Sequence, residues 1–126
     1  MRADIQIVIN EIEKSLSLLR QRLDWDNVKK KREEFDALTE DPDLWNEPDK
    51  AQNLMRARQN FIDQLDGHDA ISNELKENIE LIELAEIEAD EEILQEVFAA
   101  LQILKKRASA KELEALLNGE ADGNDT

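Results

Sequence analysis

The sequence predicts an all-α fold: an antiparallel helical bundle of about four helices, in which a long third helix forms a hairpin with the fourth. Three observations predict it. Strand-favouring residues are scarce, with 3 Val, 3 Phe, 2 Thr and no Tyr, while Leu, Glu, Ala, Ile and Lys dominate. Only 3 Gly and 2 Pro punctuate 126 residues, so the helices must be few and long. Apolar residues recur at three- and four-residue spacings along most of the chain, the period of a helix face turned towards a core. Leu, Ile, Val and Phe number 34, enough for one core despite the high charge, and the length suits one domain.

The first helix follows from Ile5, Val8, Ile9, Ile12, Leu16, Leu19 and Leu23, about one apolar residue per turn on a single face. Asp24-Trp25-Asp26-Asn27 then offers N-cap candidates for a short, mostly polar second helix. Its stripe is Val28, Phe35 and Leu38, with the basic run Lys29 to Arg32 between them. The stretch from Thr39 to Pro48 holds both prolines and must be a connection. Within it Asn46 is placed to cap the third helix, Pro48 suits that helix's first turn, and Leu44 and Trp45 are expected to plug the end of the bundle.

From Pro48 to about Ala89 the seam Leu54, Phe61, Leu65, His68, Leu75, Ile79, Ile82 predicts one helix. Its length would be ~60 Å at 1.5 Å per residue. Gly67 is its sole strong breaker, expected to weaken it locally by ~1 kcal/mol without ending it. Asp90 is the expected cap of the fourth helix, with Glu91 and Glu92 in its first turn. Its stripe is Ile93, Val97, Leu101, Leu104 and Ala108, with Leu113, Leu116 and Leu117 near the end and a stop expected at Asn118-Gly119. The expected organisation is therefore a helical domain over 1–119 and a disordered tail over 120–126.

Charge is concentrated rather than spread. Of the formal −15, the segment Asp63 to Glu96 carries −12, from 13 acidic residues against Lys76 alone. Such a field repels phosphate, so this segment excludes autonomous DNA or RNA binding and favours basic proteins as partners. Cysteine is absent, which excludes disulfides, thiolate nucleophiles and zinc-thiolate sites. The start Met1-Arg2-Ala3-Asp4 shows no signal-peptide pattern, and no apolar run has the ~18 residues of a membrane span, so a cytoplasmic location is expected.

The residues of a catalytic centre are not assembled. His68, the sole histidine, falls on the apolar seam and is expected to be a packed bundle residue rather than a base or metal ligand. Carboxylate pairs such as Glu80 and Glu83 arise at helical spacing by chance in so acidic a helix. The tail Asp122-Gly123-Asn124-Asp125-Thr126 has neither the spacing nor the length of a calcium loop, and no phosphate-cradling Gly loop occurs. The sequence thus assigns no catalytic residue, no cofactor, no metal ligand and no individual binding residue.

Two basic clusters remain, Arg20, Arg22 and Lys29 to Arg32, and Lys105, Lys106, Arg107 and Lys111. The default expectation is solvated helix faces with i+4 partners, Lys29 with Glu33 and Lys30 with Glu34; the alternative is contact with phosphate. Trp25 and Trp45 are expected to pack at the bundle ends, with partner anchoring as the alternative.

Leu23-Asp24-Trp25-Asp26, then Asp41-Pro42-Asp43-Leu44-Trp45-Asn46-Glu47-Pro48 and Ala51-Gln52, resemble the N-terminal region of bacterial peptide chain release factors. Glu80-Leu81-Ile82-Glu83-Leu84-Ala85, Glu88-Ala89-Asp90 and Leu116-Leu117-Asn118-Gly119-Glu120 with Asp122 continue the resemblance in the same order, so it covers the whole chain. The Leu44-Trp45-Asn46 loop points to the second type of factor, which serves UGA and UAA. The resemblance implies an interaction domain of a translation termination factor, lying towards the stalk base of the ribosome and implicated in dealings with release factor 3. The family's codon-reading Ser-Pro-Phe and peptide-releasing Gly-Gly-Gln tripeptides are not found in these 126 residues, and the tail would lead to the central domains that carry them. The alternative is a stand-alone acidic helical adaptor for a basic partner. Exposed positions on the long helix make the expected state of the isolated domain a monomer or a weak dimer.

Overall fold

A computed structural model describes the backbone of residues 2–124 and the side chains of residues 2–117. Among the described residues it contains four α-helices and no strand: α1 (Ala3–Arg22), α2 (Val28–Glu40), α3 (Pro48–Glu88) and α4 (Glu91–Asn124). Short 3-10 turns, Trp25–Asn27 and Pro42–Asn46, flank α2. The 41 residues of α3 make it the axis of the molecule, about 60 Å long. Along its C-terminal half α1 and α4 pack side by side, both antiparallel to α3. The pairs Arg2–Glu91 and Glu11–Lys105 tie α1 to α4, and Glu74–Arg107 ties α3 to α4. Along its N-terminal half α3 is accompanied by α2, through Asp36–Arg58 and the rings of Phe35 and Phe61 5.7 Å apart.

The main core lies where three helices meet. Ile5, Val8, Ile9, Ile12 and Leu16 of α1 pack with Ile71, Leu75, Ile82 and Ala85 of α3 and with Leu94, Val97, Leu101, Leu104 and Ala108 of α4. The stripes that predicted α1, α3 and α4 are thus the buried faces. A smaller cluster of Leu19, Leu23, Phe61, Leu65 and Ala115, flanked by Val28 and Phe35, joins the two halves. At the start of α1 the Arg2 guanidinium hydrogen-bonds Asp4 and holds its carboxyl below the usual carboxylate range.

Several local expectations need correction. Neither Asn27 nor Asn46 caps a helix through its side chain. Asn27 instead donates to Asp24 Oδ2, and Asp24 takes a left-handed conformation (φ 54°) that turns the chain into α2. The residue preceding α3 is Glu47, with Pro48 in the first turn as expected. Trp45 is 57% exposed and does not plug the bundle; it stands at the α2 end of α3, away from the core where α1, α3 and α4 meet. Leu113 and Leu117 are also exposed, the buried position near the end of α4 being Ala115. α4 continues to Asn124 instead of stopping at Asn118-Gly119, and the two glycines it takes in, Gly119 and Gly123, cost ~1 kcal/mol each. Of the tail expected to be disordered, residues 125 and 126 lie outside the described residues.

Other details match. Asp90 Oδ1 accepts from the Ile93 N–H at 3.1 Å, capping α4, after Ala89 ends α3 at φ 54°. α3 passes unbroken through Gly67, whose missing side chain is filled by the stem of Lys111 from α4. An added Cβ would lie 2.7 Å from Lys111 Cε, the far end of a flexible, partly exposed chain whose ion pair among the described residues is with Glu114 at 3.3 Å. The helix gains up to ~1 kcal/mol when Gly becomes Ala, and displacing that stem loses little. Gly67→Ala is therefore expected to raise the melting temperature by a few degrees in a circular-dichroism scan; a lower one would mean that Lys111 is fixed in place.

Candidate interaction surfaces

His68 is buried, 4% exposed, where α1, α3 and the first 3-10 turn converge. Its Nε2 lies 3.1 Å from Arg20 Nη1, its Nδ1 3.1 Å from Asp69 Oδ1, and its ring centroid 4.4 Å from that of Trp25. A guanidinium can only donate and a carboxylate can only accept, so the partners select the tautomer with hydrogen on Nδ1 and the lone pair on Nε2. Both ring nitrogens are thereby used, and the side chain acts as a joint between α1, α3 and the corner leading to α2. Among the described residues no three His, Cys, Asp or Glu side chains are grouped to hold a metal ion. Nor is any of the described helices long and apolar enough to cross a membrane.

The acidic segment forms the C-terminal half of α3 and the start of α4. Glu77, Glu80, Glu83 and Glu88 are exposed, and none has an ion pair among the described residues, whereas Glu74 is committed to Arg107. Leu81, Leu84 and Ile87 stand between them at 40, 51 and 82% exposure. These three lie out of phase with the buried Leu75, Ile82 and Ala85, so they face away from the core. The resulting surface is anionic with aliphatic side chains at its centre. Sequence reasoning found its charge but missed its apolar part; the signal was a second three-residue spacing, 81, 84, 87, offset from the seam.

The two basic clusters separate. Lys105 and Arg107 are tied to Glu11 and Glu74 across helix interfaces, and Lys111 covers Gly67 and meets Glu114, so these three are structural, while Lys106 is exposed and has no ion pair among the described residues. In the other, Arg20 is engaged with His68 and the Lys31 ammonium sits 4.8 Å above the Phe61 ring. Lys29, Lys30 and Arg32 are exposed and have no ion pair among the described residues; the expected bonds to Glu33 and Glu34 are not formed.

The pattern of the PCRF domain matches residues 28–126 of the chain, from the first residue of α2 through α3 and α4. The chain belongs to the PCRF domain family. Peptide chain release factor 2 of Roseobacter denitrificans is 53% identical over 126 residues, covering 100% of this chain and 34% of that protein. The proteins of the same name from Ruegeria and Paramagnetospirillum magneticum are 49% and 41% identical, each over 125 residues, covering 99% of this chain and 33% and 34% of the relative. This PCRF chain thus spans about a third of the length of the relatives it matches. The resemblance to release factors drawn from its sequence holds, and the stand-alone adaptor is not favoured.

Proposed function

We propose that the chain is the ribosome-facing N-terminal domain of a cytoplasmic peptide chain release factor acting at UGA and UAA. It presents its acidic α3–α4 hairpin to basic protein at the stalk base, within reach of release factor 3. The observation that carries this reading is the end-to-end similarity to proteins named Peptide chain release factor 2. The Leu44-Trp45-Asn46 loop supports the choice of codons. The hairpin's chemistry supports the choice of surface: Glu77, Glu80, Glu83 and Glu88, with no ion pair among the described residues, surround Leu81, Leu84 and Ile87, a polar rim about an apolar centre that a basic partner would complement.

The domain's part is to position and to be recognised. Its long axis, stiffened by the core along one half of α3, holds the acidic tip roughly 35 Å from the α2 end, counting about 23 residues from Phe61 to Leu84. Replacing Glu77, Glu80, Glu83 and Glu88 by Lys should weaken association with ribosomes about tenfold at low salt and alter its salt dependence. Glu74 is left intact because its pairing with Arg107 would confuse the result. Unchanged association at low salt in a sedimentation assay would sink the assignment of this surface.

A further inference from the structure

The start of α2 carries charge in an order that works against the helix itself. Its first turn has no acidic residue and its last turn no basic one. Lys29, Lys30, Lys31 and Arg32 stand instead at the N-terminal end, where the helix dipole is positive, and Glu33, Glu34, Asp36 and Glu40 follow. No side chain caps this end, and none of the 13 residues is buried. From Arg20 to Arg32 there are six basic residues and two acidic ones, Asp24 and Asp26, a local +4 in a chain of −15. A local rule broken without compensation inside the fold points to a requirement outside it.

We infer that Lys29, Lys30 and Arg32 form a contact for the phosphate backbone of RNA. This rests on the ribosome-facing reading above. Three observations select RNA over an acidic protein. The three side chains are exposed and unpaired among the described residues, whereas in the other cluster Lys105, Arg107 and Lys111 are committed within the fold and Lys106 alone is left without a partner there. Between Arg20 and Arg32 the one exposed large apolar side chain is Trp25, 36% exposed with its ring against His68, so the broad apolar centre of a specific protein interface is missing. Long, mobile cationic side chains suit a polyanion whose charges repeat along a strand. The acidic face does not forbid the approach: its centre lies several screening lengths away along α3, at roughly 10 Å per length in 0.1 M salt.

The test uses the 126-residue chain and purified ribosomes, with binding measured across a salt series. The variant Lys29→Glu/Lys30→Glu/Arg32→Glu is expected to bind at least tenfold more weakly at low salt. The slope of log affinity against log salt should be shallower by about two to three, close to one for each phosphate that the variant no longer neutralises. Its melting temperature should hold or rise, since acidic side chains suit a helix N-terminus. Lys29→Gln/Lys30→Gln/Arg32→Gln should show the same loss in weaker form, guarding against an effect of misfolding.

A control with the same change of charge elsewhere, Lys14→Glu/Arg56→Glu/Lys106→Glu, should lose much less. Equal loss in this control would reduce the effect to net charge and overturn the inference. A benzophenone side chain placed at position 30 should yield a nuclease-sensitive adduct with ribosomal RNA. Adducts with protein alone, or none, would overturn it. Wild-type binding with no change in the triple Glu variant sinks this inference and leaves the hairpin standing; no binding by the wild type sinks both.

Discussion

Leu101→Ala should remove about 3–5 kcal/mol of stability, the largest loss expected from any single truncation in this chain. Leu101 is fully buried in the middle of α4, in the same core cluster as Ile12 of α1 and Ile82 of α3, themselves fully buried. Three helices converge on it, and each is held by its own ion pairs, so the hole cannot close by a simple shift of one element. The cost is then the lost transfer energy of the side chain together with a cavity that stays open. Domains of this size are stable by only about 5–15 kcal/mol, so the variant sits near the edge of folding at 37 °C. At roughly 3–5 °C per kcal/mol, thermal unfolding should shift down by 10 °C or more. Leu113→Ala, at a position 55% exposed on the same helix, supplies the contrast: about 0.5 kcal/mol or less. Urea unfolding of both, with the slope unchanged, would confirm that the native state is altered in stability and not in extent. A small effect at Leu101 would mean that α1 and α4 slide to refill the space.

What the sequence made legible were features in which one helix face sees one environment. Ile5 to Leu19 repeat once per turn because α1 meets α3 and α4 along its whole buried side, and period alone identifies such a face. Asp90 was legible because the side chain it offers and the amide it caps are three residues apart. Gly67 did not break α3, since neighbours packed on both sides outweigh one weak position. The misses arose where the answer depends on what arrives from elsewhere. Trp45 is exposed at the α2 end of α3, away from the core where three helices meet, a fact of topology absent from the ten residues around it. Lys29 and Lys30 were expected to pair with Glu33 and Glu34 along α2, and Lys105 and Arg107 gave no sign of their partners on α1 and α3. Spacing along one helix cannot reveal a carboxylate 33 residues away on another, as Glu74 is from Arg107. The candidate surfaces were therefore visible as charge, while their sorting into free and committed side chains needed the packing.

His68→Ala should cost about 2–4 kcal/mol and loosen the corner between α1 and α2, although Ala is the better helix former by a few tenths of a kcal/mol. The ring closes the gap between Arg20 on α1 and the body of α3, and it supports Trp25, which has no other ring partner among the described residues. Trp25 sits in a three-residue 3-10 turn after the left-handed Asp24, a backbone that α2 and the His68 contact must hold together. Removing the imidazole leaves a hole beneath Trp25, while Arg20, only half-buried, can turn to water and recover part of its hydrogen bonding. Fluorescence separates these parts. In a Trp45→Phe background Trp25 is the sole tryptophan, and truncation at position 68 should shift its emission to longer wavelength before any global unfolding. His68→Phe keeps an aromatic face for Trp25 but offers Arg20 no acceptor. Its emission should stay close to that of the parent, while stability falls by about 1–2 kcal/mol for the lost hydrogen bonds. If Phe costs as much as Ala, the joint is made by the Arg20 hydrogen bond; if Phe costs nothing, it is made by packing alone, and His68 serves as a core residue that happens to carry two nitrogens.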